Sequence, residues 1–233
     1  MKWNLKNTGL GRYWLSMGSG VRMALGFCLL AFAIQNVVAR ADLQTLRISP
    51  NGESLLMVLD PLTTLFAIHG PGLRMGFFWS PVTYMFLHGS LMHLLLNALG
   101  LLVMGRMVEQ LLGTSHFWRI FLVSGVFGGL GWALSQGLAS PVPCVGASGG
   151  VLGLVGAYAV LRPHDRFMLI LPFPITLSAR TLAIWLALAN MIELAFGHGN
   201  VAYLAHVVGL LAGSLYAWRL RQRLNHAPWS RRS

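Results

Sequence analysis

The chain has 233 residues, of which 55% are hydrophobic and only 10% charged, with a formal net charge of +11. A soluble domain carries about 25% charged residues, so this composition excludes an ordinary water-soluble fold. The length suits one membrane domain without a second folded unit.

Residues 1–20 are polar and basic (Lys2, Lys6, Arg12), with Trp3, Tyr13 and Trp14 as interfacial anchors. An apolar run over 21–39 is the first expected span. Val38-Ala39-Arg40-Ala41 loosely offers a signal-peptide cleavage site, but the basic stretch ahead of it is long for one, so the run is read as a retained helix. Residues 40–80 form a long first loop, of which 54–68 is apolar enough to lie in the membrane interface until Gly70-Pro71-Gly72 breaks it. Further spans are expected over 84–108, 118–137, 148–161, 180–196 and 201–220, and a segment over 167–178, interrupted by Pro172 and Pro174, is expected to skim the surface. Residues 221–233 form a basic tail. Cys28, in an apolar run, and Cys144, in a loop, are too few for a disulfide framework and read as unpaired small hydrophobes.

Six spans place both termini on one side. Of the 17 lysines and arginines, only Arg40, Arg47 and Arg74 then fall opposite, all in the first loop. That asymmetry follows the positive-inside rule and puts the termini in the cytoplasm. Topology and anionic lipid account for the basic charge, so no nucleic-acid partner is expected. The expected fold is an all-α bundle of six transmembrane helices over 21–220, with a partly membrane-embedded external loop at 40–80. A six-span core of this kind points to a bacterial cytoplasmic membrane.

The fourth span is the unusual one. It opens on Gly146-Ala147-Ser148-Gly149-Gly150 and ends near Leu161, about 21 Å of helix at 1.5 Å per residue. The hydrocarbon core is roughly 30 Å thick, so Ser148 is expected on the order of 10 Å below the outer surface. A hydroxyl at a helix N-terminus with free backbone N–H groups has the parts of a nucleophile beside an oxyanion site. Spans two, four and six all start on the outer face, and each carries polar groups in its outer half: His88, His93 and Asn97, then Ser148, then His206. Polar residues at that depth are costly and mark a cavity or a site. His93 and Asn97 share a helix face. Gly149, Gly153 and Ala157 repeat at four-residue intervals, as do Gly209 and Gly213 after His206, and such stripes let two helices approach closely. That approach brings His206 toward Ser148.

These residues resemble the rhomboid family of intramembrane serine proteases: His88-x₄-His93-x₃-Asn97, then Gly146-Ala147-Ser148-Gly149, then His206-x-x-Gly209-x₃-Gly213. Gly105-x₃-Glu109-x₃-Gly113 is also similar to the family's pattern. The resemblance covers residues from about 79 to 220. It implies a rhomboid-type six-helix bundle and a serine–histidine dyad, with Ser148 as nucleophile and His206 as general base. It implies an oxyanion hole from Asn97, His93 and the Ser148 backbone N–H, and a supporting, water-organising role for His88. Transmembrane protein substrates are implied, with no cofactor or metal; the oligomeric state stays open. Two positions depart from the family. Trp79-Ser80 stands where Trp-Arg is common, and Leu152 stands where an aromatic ring often packs on the catalytic histidine. Trp79 and Glu109 read as structural, Glu109 pairing with Arg106 or Arg119. Two other readings compete. A catalytically silent relative that binds membrane clients would usually lack the serine or the histidine, and a zinc or copper transporter using the histidines leaves the Gly-Ala-Ser-Gly element unexplained.

Overall fold

The computed structural model describes residues 18–40, 47–48, 57–58, 61–169, 174–196 and 202–225. The N-terminal segment 1–17, most of the stretch 41–60 and the tail 226–233, all read above from sequence, lie outside the described residues.

Helix α1 spans Ser19–Arg40. Its first N–H groups have no intrahelical acceptor, and the buried carboxylate of Glu109 takes two of them, from Gly20 at 2.8 Å and Val21 at 3.0 Å. A negative group is favoured there by the helix dipole. Thr114 Oγ1 donates to the same carboxylate at 2.6 Å. Glu109 thus joins the start of α1 to the turn between the second and third spans.

In the first loop, β1 (Arg47–Ile48) pairs antiparallel with β2 (Met57–Val58). Two short helices follow, α2 (Pro61–Phe66) and α3 (Gly70–Arg74). Gly70-Pro71-Gly72, expected to break structure, instead opens α3, because proline at the first turn gives up only an N–H that lacks a partner anyway. His69 caps this helix: Gly72 N–H donates to its Nδ1 at 3.1 Å, and its Nε2 meets the Thr64 carbonyl at 2.9 Å.

The second span begins later than expected. Helix α4 (Ser80–Thr83) runs into a 3₁₀ turn at Tyr84–Phe86, and Leu87 is extended. Helix α5 starts only at Leu91, where Ser90 accepts the His93 N–H at 3.1 Å. It runs to Gly100, continues through a π-helical turn at Leu101–Gly105 and ends as α6, Arg106–Leu112. Gly113, at φ 82°, stops α6 and starts α7 (Thr114–Gln136). Helix α8 is Ser148–Leu161, at the expected bounds. The described parts of the 167–178 segment form a strand pair, β3 (Arg166–Leu169) against β4 (Ile175–Ser178), with Pro174 just ahead of β4, where a missing N–H breaks no ladder bond; Pro172 lies outside the described residues. Helices α9 (Ala179–Phe196) and α10 (Tyr203–Asn225) are the last described elements.

The described residues are mostly helical, and four of the segments are long and apolar enough to cross a membrane: Ser19–Ala39, Leu91–Leu112, Thr114–Gln136 and Ala179–Phe196. Helix α8, with 14 residues, is shorter, and nearly every residue from Gly149 to Tyr158 is buried against neighbouring helices. The surrounding helices present their apolar side chains outward, as Leu95, Leu96, Phe127, Trp185 and Leu188 do. A short apolar helix ringed by longer ones, with apolar residues facing out, is the arrangement of a multi-pass membrane protein.

Candidate active site

Ser148 is the first residue of α8, and the segment before it is tied down by main-chain bonds. Ile68 and Cys144 exchange N–H···O bonds at 3.3 and 2.9 Å, Gly70 N–H donates to Ser140 O at 3.2 Å, and Gly146 N–H donates to Tyr84 O at 2.9 Å. Gly146 sits at φ 120°, which favours glycine. A Cβ there would also lie 2.6 Å from the His93 ring. The glycine therefore turns the chain into α8 and leaves room for an imidazole beside the serine.

Helix α10 brings the second group. Methyl groups at Gly209 and Gly213 would overlap the carbonyls of Gly149 and Gly153, so the α8 and α10 backbones touch. Gly128 of α7 lets the Ala205 carbonyl in from the other side, 2.6 Å from where a Cβ would stand. Held this way, His206 places Nε2 at 2.7 Å from Ser148 Oγ. Its other ring nitrogen, Nδ1, lies 2.7 Å from Asn190 Oδ1 on α9. Tyr203 meets the imidazole edge-on with ring centroids 6.4 Å apart.

Ser148, His206, Asn190, His93, Asn97, Trp132 and Leu152 line one cavity of about 750 Å³. That size falls within the usual range for ligand pockets. Asn97 donates one N–H to the His93 carbonyl at 2.9 Å, and the other remains for a ligand, since an amide nitrogen carries two.

His88 is placed differently from expectation. It lies outside the second span, in the extended stretch before α5, because Gly89 and the Ser90 cap delay the helix. Its backbone N–H donates to Gln35 Oε1 of α1 at 3.0 Å, its Nδ1 donates to Phe86 O at 3.1 Å, and its ring packs edge-on against His93, with centroids 5.2 Å apart. Nε2 is buried without a protein partner. Burial, reinforced by neighbouring His93, pulls this imidazole down to about 4. His88 is thus a neutral buttress behind His93.

At Trp79-Ser80, the indole N–H donates to Leu65 O at 2.8 Å and the ring stacks on Phe77, while Thr83 Oγ1 donates to Phe66 O at 2.8 Å. Ser80 is fully buried. The first loop is therefore anchored without an arginine at position 80. Cys28 and Cys144 are free and buried, and burial pushes the Cys144 thiol up to about 12. His116 Nδ1 bonds Tyr216 OH at 2.9 Å, and Asp165 Oδ2 accepts from Tyr158 OH at 2.6 Å. The residue that sequence reasoning missed is Asn190. Its one signal was an amide in an otherwise apolar run, Trp185-Leu-Ala-Leu-Ala-Asn190-Met-Ile.

A bundle with a serine, two histidines and two amides around one cavity defines a class, and comparison with known proteins names it. The family model described as the Rhomboid domain matches residues 76–223. The chain is 28% identical over 152 residues to YdcA, a Bacillus subtilis protein provisionally named a rhomboid protease; the match covers 65% of this chain and 72% of YdcA. It is 31% identical over 136 residues to the mitochondrial Rhomboid protein 1 of Saccharomyces cerevisiae, covering 57% of this chain and 39% of that one. With the rhomboid protease GlpG of Yersinia pestis, identity is 34% over 140 residues, covering 60% and 47%. The match thus spans under half the length of the yeast and Yersinia proteins. The chain belongs to the rhomboid family, in which YdcA and GlpG are named as proteases, and it is a multi-pass integral membrane protein.

Proposed function

We propose that this chain is an intramembrane serine endopeptidase that cleaves transmembrane proteins. The observation that carries the reading is the 2.7 Å contact between Ser148 Oγ and His206 Nε2, at a helix N-terminus facing a cavity. Serine is a weak nucleophile until an adjacent base takes its proton. Ser148 Oγ attacks the scissile carbonyl as its proton passes to Nε2. The carbonyl oxygen becomes an oxyanion, held by Asn97, by His93 and by the Ser148 N–H, which has no intrahelical acceptor. Donors of this kind supply about 3–4 kcal/mol each. The C–N bond then breaks, the amine leaves with the proton from Nε2, and an acyl ester remains on Ser148. Water entering the cavity then gives a proton to Nε2 as its oxygen bonds the acyl carbon; the C–Oγ bond breaks, Ser148 Oγ takes that proton back from Nε2, and the acid leaves.

In this reading α1, α5–α6, α7, α8, α9 and α10 are six spans. Both termini are cytoplasmic, the first loop is external, and the membrane is a bacterial cytoplasmic one. Support comes from the basic-residue asymmetry and from the 14-residue α8, which sets Ser148 below the outer surface.

Covalent labelling by a serine-directed fluorophosphonate, together with cleavage of a model transmembrane substrate, tests the proposal. Ser148→Ala and His206→Ala should each abolish cleavage with folding intact, and Ser148→Ala should abolish labelling. Because the two act as one unit, the double variant should be little worse than either single one. Substantial cleavage by Ser148→Ala overturns the serine-protease reading.

A further inference from the structure

Asn190 is the amide that α9 turns toward the cavity, and both ends of its side chain are committed. Its Nδ2 donates to the Leu186 carbonyl one turn back at 2.8 Å, and its Oδ1 lies 2.7 Å from His206 Nδ1. The first bond fixes which end is which, since a carbonyl only accepts and must face the NH₂. An acceptor oxygen at Nδ1 in turn requires that nitrogen to carry the ring proton. Nε2 is then left with its lone pair toward Ser148 Oγ. The hydrogen bonds run in one direction: Ser148 donates to His206, His206 to Asn190, and Asn190 to Leu186.

We propose that Asn190 is a positioning residue that holds His206 in the tautomer and rotation of a general base, an inference that rests on the Ser148–His206 reading above. A third group that orients the base is the usual completion of a nucleophile–base pair. Among the described residues, nothing else near the imidazole does this. Leu152 lines the cavity but has no polar atom, Tyr203 offers only a ring edge, and His93 and Cys144, the other titratable groups on the cavity wall, make no hydrogen bond to Nδ1 among the described contacts. The assignment also explains how His206 is held although Leu152 cannot stack on it. Orientation comes from an amide on the neighbouring helix rather than from a ring on the serine's own helix. An amide sets the tautomer without adding charge, so its loss should cost less than the ~10⁴-fold drop seen when a buried triad carboxylate is replaced by an amide that enforces the wrong tautomer.

The test uses the purified full-length chain in one detergent, with Asn190→Leu (similar bulk, no acceptor), Asn190→Ala and Asn190→Asp (acceptor kept at Nδ1). For a single transmembrane substrate, the first two should lower kcat on the order of 10²-fold with KM within about two-fold, the pattern of an interaction needed only for the chemical step. Fluorophosphonate labelling of Ser148, which needs no substrate binding, should slow by a similar factor. Asn190→Asp should recover most of both rates. Wild-type kcat and labelling in Asn190→Leu, with Ser148→Ala inactive, would overturn the role of Asn190 and leave the dyad standing. A raised KM at unchanged kcat would also overturn it, by moving Asn190 to substrate binding. If one removal variant fails to fold, the other decides between these outcomes, and an Asn190→Asp protein that is folded but as slow as Asn190→Ala counts against the proposal. Wild-type cleavage by Ser148→Ala would remove the underlying reading instead.

Discussion

At the scale of single residues, the cavity divides its polar groups by how much of their hydrogen-bonding capacity is already used. Asn97 spends one N–H on the His93 carbonyl and keeps the other. If that N–H meets the oxyanion, Asn97→Ala should lower kcat about 10²–10³-fold with a smaller effect on KM. Near-wild-type kinetics would leave the oxyanion to His93 and the Ser148 backbone. His88 stands behind the cavity wall rather than on it: its Nδ1 donates to Phe86 O, its ring packs on His93, and its Nε2 is buried without a protein partner. Its proton affinity is lowered from 6.5 to about 4 by burial and then by His93, so between those values the folded chain binds fewer protons than the unfolded one. Its contribution to stability is whole above about pH 6.5 and is lost as the pH falls toward 4. Thermal unfolding in detergent should show a midpoint that declines over that window, and His88→Gln should flatten the decline. An equal slope in the variant would contradict the buried, neutral histidine.

Between elements, close approach of α8 and α10 sets the dyad distance, and glycine permits it. Gly213→Ala puts a methyl into the Gly153 carbonyl, and forcing that overlap should cost about 1–3 kcal/mol, seen as a lower unfolding midpoint and reduced cleavage. Gly26 of α1 is the control, because a Cβ there meets nothing within 4 Å. Gly26→Ala should be neutral or slightly stabilising, from helix propensity alone. Equal effects at the two sites would mean that α8 and α10 are not in backbone contact. This packing was legible in the sequence, since four-residue glycine spacing is a local signal, and so were the bounds of α8, framed by Pro143, Gly146 and Arg162. The second span was read too early because its apolar residues continue backward through Tyr84–Phe86, and apolarity alone does not separate a 3₁₀ turn from a long helix. What stayed hidden was contact between remote segments. Glu109 shows charged neighbours in its own sequence but not the N–H groups of α1, which arrive from 88 and 89 positions away. Asn190 shows no motif at all, and only the register of α9 against α10 turns its amide toward His206.

For the whole molecule, one element too short to cross the bilayer dictates the layout. Helix α8 is about 21 Å long at 1.5 Å per residue, against roughly 30 Å of hydrocarbon, so its polar start must be shielded by protein rather than by lipid. The residues at 137–147 do this from one side, bonded to Ile68 and Gly70 of the first loop, while α7 and α10 close the flanks. That arrangement has a definite orientation if the basic residues decide it. Arg119, Arg219, Arg221 and Arg223 lie at the start of α7 and the end of α10, the end of the bundle away from Ser148. Arg74 is on the same side as the serine. With the basic end inward, the cavity opens toward the external face and a reporter fused after Ser233 should be cytoplasmic, whereas one inserted near Asn51 should be external. Reversed positions would keep the bundle but turn the cavity toward the cytoplasm, against the positive-inside rule. Both reporters on one side would require an odd number of crossings between residue 51 and the C-terminus to become even. That outcome would remove the six-span layout and the depth proposed for Ser148.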